Sequence, residues 1–158
     1  MNTTYIRKVY ISGALTGIEN PAITKAFYEA VGSLIEEMEF QVYIPHINTD
    51  PIHNPDVSPR QVFETDKHQV SASDLVIAYV GYPSLGVGME LAYAEINAIP
   101  IILLYERDKE ISRFPRGIPT VISEIQFQDY EDALTQLKSV LEQWKLQQVT
   151  KPLSVSSS

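Results

Sequence analysis

Short apolar runs alternate with amphipathic segments along the chain. Lys8-Val9-Tyr10-Ile11, closed by Ser12-Gly13, predicts a first strand. Asn20 and Pro21 read as a cap followed by proline at the first helical position. Behind them Phe27, Ala30, Val31, Leu34, Ile35 and Met38 recur every three or four residues, which predicts a helix with one buried stripe. Gln41-Val42-Tyr43-Ile44, stopped by Pro45, predicts a second strand, and the polar stretch from Asn48 to Asp56 a loop. Ser58-Pro59-Arg60-Gln61 has the form of a capping box and opens a second helix. Leu75 to Val80 is apolar without a break, as a strand covered on both faces must be. A turn from Gly81 to Gly88, a third helix to about Asn97 and a strand from Pro100 to Tyr105 follow. Arg107 to Pro119 reads as irregular chain, and Ile125-Gln126-Phe127 as a weaker fifth strand. Asp129 can cap a last helix whose stripe is Ala133, Leu134, Leu137, Val140, Leu141 and Trp144. Residues 149–158, ending in three serines, lack core periodicity, so one domain over 1–148 and a disordered tail are expected.

Strands that alternate with helices call for right-handed crossovers and a parallel sheet with helices on both faces. Five strands suggest a doubly wound, flavodoxin-like or Rossmann-like α/β domain of strand order 2-1-3-4-5. Its crevice opens at the carboxyl ends of strands one and three. The chain therefore points to Ser12 to Gly17 and Gly81 to Glu90 as the segments that meet there.

Composition narrows the function. Lys and Arg number 12 against 20 Asp and Glu, a net charge of −8, which argues against binding polymeric nucleic acid. Cysteine is absent, so disulfide scaffolds, Cys-zinc sites and thiol catalysis are excluded. The apolar run from Ile99 to Tyr105 is far shorter than the roughly 18 residues of a membrane span. Met1-Asn2-Thr3-Thr4-Tyr5 lacks an apolar signal segment, and a cytoplasmic protein is expected. His46, His53 and His68 have no metal-ligand spacing, and neither a metal nor a cofactor is expected.

Two carboxylates stand out. Glu90 follows Pro83-Ser84-Leu85-Gly86-Val87-Gly88-Met89, a loop with a hydroxyl and two glycines that let a ligand approach the backbone. In the first turn of the third helix, the positive dipole end would keep Glu90 ionised. That suits a nucleophile, although spacing alone favours a charge that only stabilises a helix start. Asp66 shares a helix face with Val62 and Val70. A carboxylate on an apolar stripe needs a partner or a task, and desolvation there would raise its pKa towards that of a general acid. A hydrogen-bonded structural role fits the same position, whereas Asp74 reads as a turn residue. Ser12-Gly13-Ala14-Leu15-Thr16-Gly17 can cradle a phosphate or a sugar, or simply join strand to helix. Gly86-x-Gly88 is no dinucleotide fingerprint, because Leu91 stands where the third glycine belongs.

Tyr10-Ile11-Ser12-Gly13 with Gly17, and above all Pro83 to Leu91, resemble the nucleoside 2-deoxyribosyltransferase superfamily. The second motif is most similar to its 2'-deoxynucleoside 5'-monophosphate N-hydrolase branch, and the resemblance spans about residues 7 to 105. It implies that Glu90 attacks the anomeric carbon and forms a glycosyl ester. It implies that Asp66, eight residues before Asp74, assists departure of the base, and that Tyr10 lies beside sugar and nucleophile. Ser84 matches a serine that holds the 5'-phosphate and His46 a residue near the base. Gly13, Gly86 and Gly88 match loop glycines. Where that branch carries a serine and an arginine for the phosphate, this chain has Ala14 and Thr16, and a threonine is no bidentate clamp.

The reading is thus an enzyme that cleaves the N-glycosidic bond of a nucleoside or nucleotide by retaining displacement between two carboxyls. Base exchange is its nearest alternative, and a nucleotide-sensing module or a flavin carrier of the same architecture are the others. The resemblance also implies a homo-oligomer, for which Tyr93 and Ala94 could supply contacts.

Overall fold

The computed structural model describes residues 5–48 and 54–150. His53 and residues 151–158 of the expected tail lie outside them. The elements are β1 (Lys8–Ser12), α1 (Pro21–Glu37), β2 (Gln41–Tyr43), α2 (Pro45–Asn48), α3 (Pro59–Ser71) and β3 (Leu75–Tyr79). They continue with α4 (Leu85–Ile96), β4 (Ile101–Glu106), α5 (Arg113–Arg116), β5 (Val121–Phe127) and α6 (Tyr130–Thr150). All strand pairs are parallel, in the order β2-β1-β3-β4-β5. This is the expected topology.

The period of two along each strand divides the core. Val9 and Ile11 of β1, with Leu75, Ile77 and Tyr79 of β3, face α1 and α6 and pack on Phe27, Val31, Leu137 and Trp144. Tyr10, Val76 and Ala78 face the other way and pack on Val70 of α3 and Val87, Leu91 and Ala94 of α4. All five residues of β3 are buried, which is why its sequence shows no alternation. Asp74 ties the amino ends of the strands together. It accepts from the Lys8 backbone N–H at 2.8 Å and from the Tyr5 hydroxyl at 3.0 Å, and Arg7 lies 3.7 Å away. Its role is structural, on the edge opposite the crevice.

The capping box of α3 is present in both directions: the Ser58 hydroxyl accepts from Gln61 N and the Gln61 side chain from Ser58 N. Asp129 caps α6 by accepting from Asp132 N at 2.8 Å. Four expectations need correction. β5 starts at Val121, because Ser123 and Glu124 occupy exposed or half-buried positions of an edge strand and hide its first half. The irregular stretch contains the single turn α5, and α2 adds another after β2. α6 continues to Thr150, two residues beyond the expected domain end. Finally, Ala94 is fully buried and Tyr93 half-buried, so neither projects outwards as a free contact. No helix among the described residues is long and apolar enough to cross a membrane.

Candidate active site

Ser84 sets the geometry of the site. Its backbone is extended and its hydroxyl accepts from Val87 N at 3.3 Å, which makes it the cap of α4. The helix therefore starts at Leu85 rather than after Gly88, where two poor helix formers place its start by propensity. Glu90 sits in the second turn, not the first, and the dipole argument for its ionisation fails. Burial dominates instead and pushes its carboxyl up to about 7. The Ser12 hydroxyl pulls the other way, the charge of Asp66 raises it further, and the Tyr10 hydroxyl again lowers it.

Tyr10 and Ser12 come from β1 and are fully buried on the α4 side, beneath Glu90. The Tyr10 ring is pinned by stacking on Tyr43, its register partner on β2, at 5.5 Å and 19°. Burial, then Glu90 and Asp66, hold the Tyr10 phenol far above its ordinary pKa, so it remains a donor. Burial and the same two carboxylates push Tyr43 up to about 12. Tyr43 was legible only as a strand residue, because its role depends on pairing with Tyr10. The Tyr10, Ser12 and Tyr43 hydroxyls and Glu90 Oε2 are sealed from solvent and close no hydrogen bond among the described residues. They are near enough to bias one another.

Glu90 opens into a cleft of about 480 Å³ between the sheet edge, α3 and α4. The volume suits a small ligand. Gly13, Thr16, Asp66, Ser84 and Gly86 line it together with Glu90, so the chain brings both carboxylates and both candidate loops to one place. Gly13 is required here by packing: a Cβ would lie 2.3 Å from the Tyr28 ring. Three further candidates do not line the cleft. Ala14 is buried, and its carbonyl accepts from the Tyr28 hydroxyl at 3.0 Å. His46 is buried with Nε2 3.1 Å from Glu29 Oε1. Gly88 is exposed on the outside of α4. Phe63 and Tyr93, for which the sequence suggested no role in the site, line it, as does Lys67, one of the residues that could have supplied charge for a phosphate.

No protein-family model matches the chain. A protein of Thermofilum pendens named "Putative 2'-deoxynucleoside 5'-phosphate N-hydrolase 1" is 32% identical over 139 residues, spanning 85% of this chain and 94% of that one. A protein of the same name from Syntrophotalea carbinolica is also 32% identical, over 85% of this chain and 91% of its own. Among solved structures, the CMP N-glycosidase BcmB of Clostridium botulinum superposes with a TM-score of 0.67 at 23% identity, over 85% of this chain and 99% of that one. The 2-deoxyribosyltransferase of Bacillus psychrosaccharolyticus gives 0.60 at 20% identity, over 80% and 90%. Strand order and these superpositions define the class, an α/β protein with the deoxyribosyltransferase-like fold. Within that superfamily, the chain belongs to the 2'-deoxynucleoside 5'-phosphate N-hydrolase family.

Proposed function

We propose that the protein hydrolyses the N-glycosidic bond of a 2'-deoxynucleoside or its 5'-monophosphate through a covalent ester on Glu90. The observation that carries the reading is Glu90 itself, a carboxyl near neutrality at the head of the cleft, facing Asp66 and two buried hydroxyls. Ionised Glu90 attacks the anomeric carbon as the bond to the base nitrogen breaks, and Asp66 gives that nitrogen a proton. Asp66 then takes a proton from water, whose oxygen displaces Glu90 from the same carbon. Free base and free sugar leave, and both carboxyls return to their starting states. Tyr10 and Ser12 steady the nucleophile from below, while Ser84, Gly86, Gly13 and Thr16 offer the 5' end a helix N-terminus and hydroxyls.

The names of the two relatives favour water over a second base as the acceptor. Chromatography of deoxynucleosides and their monophosphates after incubation, with and without a second base, tests this. Free base without an acceptor is the expected product; a new nucleoside formed only when acceptor is present would assign base exchange instead.

We also propose that a second copy covers α4. Its outer face is an apolar stripe in an acidic chain, with Leu85 91%, Met89 49% and Ile96 73% exposed. Light scattering at micromolar concentration should give at least a dimer mass, and a monomer would refute this.

A further inference from the structure

The cleft differs at its two ends. At one end stand Gly13, Thr16, Ser84 and Gly86, around the N-terminus of the twelve-residue α4. Unpaired backbone N–H groups and the positive helix end suit an anion there. At the other end the walls are apolar, with Val62 and Phe63 from α3 and Tyr93 from α4. Phe63 and Tyr93 meet edge to face at 6.4 Å. Tyr93 lies nine residues beyond the cap, roughly 13 Å along the helix axis, and Glu90 falls between the two ends. On the reading proposed above, on which this inference rests, the sugar carbon meets Glu90. The flat base then belongs at the aromatic end, since every base offers a face for stacking.

One cation stands at that end. The Lys67 ammonium lies 5.4 Å from the Phe63 ring centroid and 5.2 Å from that of Tyr93. Among the described residues lining the cleft it is the only lysine or arginine. The rings hold the ammonium in place without neutralising it. An ammonium has three donors and no acceptor. It rewards a ring carbonyl and finds only another donor in an exocyclic amine.

We propose that Lys67 is a specificity residue that reads a ring carbonyl of the base and gives the protein a preference for oxo bases over adenine. Its seat against Phe63 and Tyr93, at the end of the cleft away from the α4 N-terminus, separates this role from phosphate binding.

The test uses a minimal pair, 2'-deoxyinosine 5'-monophosphate and 2'-deoxyadenosine 5'-monophosphate, with the two free nucleosides as controls. Hydrolysis is followed by chromatography and binding by calorimetry, for the full chain and for Lys67→Met and Lys67→Arg. Methionine keeps an apolar stem of similar length and loses the donors. Lys67→Met should lower kcat/KM for the oxo substrate about 10- to 100-fold, the size of a lost charge-assisted hydrogen bond, and leave adenine nearly unchanged. Lys67→Arg should retain the preference, and nucleoside and monophosphate should respond alike. Equal losses for both bases, or a loss confined to the monophosphates, would overturn the inference. Wild-type protein that binds the oxo nucleotide more tightly but cleaves neither would sink the hydrolase reading and leave this inference standing. Cleavage without base preference would sink the inference alone, and failure to bind either nucleotide would sink both.

Discussion

Two carboxylates near the carboxyl edge of the sheet, one on each side of the active loop, have opposite company. Glu106, at the end of β4, accepts from the Tyr79 hydroxyl at 2.5 Å and pairs with Lys109 at 3.3 Å. Lys109 in turn donates to Tyr79 at 3.3 Å and lies 4.2 Å from the Tyr82 ring centroid, which fixes the chain just before the Ser84 cap of α4. Glu90, on the other face, has no cation within ion-pair distance among the described residues. Its neighbours are Asp66 and neutral hydroxyls. Both carboxylates have a strand tyrosine nearby and one oxygen that is buried without a hydrogen bond. What separates them is the countercharge. A fixed ammonium makes Glu106 part of the scaffold and would damp a nucleophile. Leaving Glu90 without one costs stability and, on the proposed mechanism, keeps its electron pair for attack.

Substitutions that exchange these fates come first. Glu90→Ala should lower turnover on the order of 10⁴-fold or more, as loss of a covalent nucleophile does, with the fold retained by circular dichroism. Activity near wild type would remove Glu90 from the mechanism. Asp66→Asn should slow a natural base by roughly 10²–10⁴-fold with KM little changed. A deoxyriboside with an activated phenolate-type leaving group should lose much less, since it needs no proton. Equal losses would make Asp66 a positioning residue.

The titration of Glu90 gives a smaller effect. Only its ionised form attacks, so kcat/KM should rise about tenfold per pH unit on the acid limb, below 7. Stability should move in the opposite direction. The folded chain holds this proton up to about pH 7, whereas an unfolded glutamate releases it near 4.5. The contribution is therefore complete below pH 4.5 and is lost by about pH 7, on the order of 3 kcal/mol. Glu90→Gln should flatten that part of a stability-against-pH curve, and an unchanged slope would show that the carboxyl titrates normally. The mildest change is Glu106→Gln, which should cost roughly 1–3 kcal/mol in denaturant unfolding while kcat/KM stays close to wild type. A large loss of activity would place Glu106 in the chemistry after all.

The sheet order and the convergence of both loops on one crevice were legible, because buried strands and amphipathic stripes leave strong periodic signals. Asp66 stands out for the same reason, a carboxylate on an apolar stripe, whereas Glu90 reads by spacing as a charge at a helix start and is singled out as a nucleophile only by the family resemblance. The helix start was not. Gly86 and Gly88 mask a helix whose actual signal is Ser84, a capping residue that reads as loop until its partner Val87 is seen. The ionisation of Glu90 was misjudged with it, since burial is a property of packing and not of spacing. Tyr43, Lys67 and the Tyr79–Glu106–Lys109 cluster lie on different elements whose proximity exists only once the sheet has closed. His46 shows the converse, a residue placed beside the crevice by topology whose ring turns towards Glu29 and Tyr28.

The contrast between the two carboxylates is tested most directly by trapping the intermediate. The protein and its Glu90→Ala and Glu106→Gln variants are incubated with a slow 2-fluoro deoxyriboside substrate, quenched, digested and analysed by peptide mass spectrometry. The account predicts a glycosyl adduct on the peptide carrying Glu90 in the wild type and in Glu106→Gln, and none in Glu90→Ala. Turnover with no adduct on Glu90, or an adduct that persists in Glu90→Ala, would contradict it.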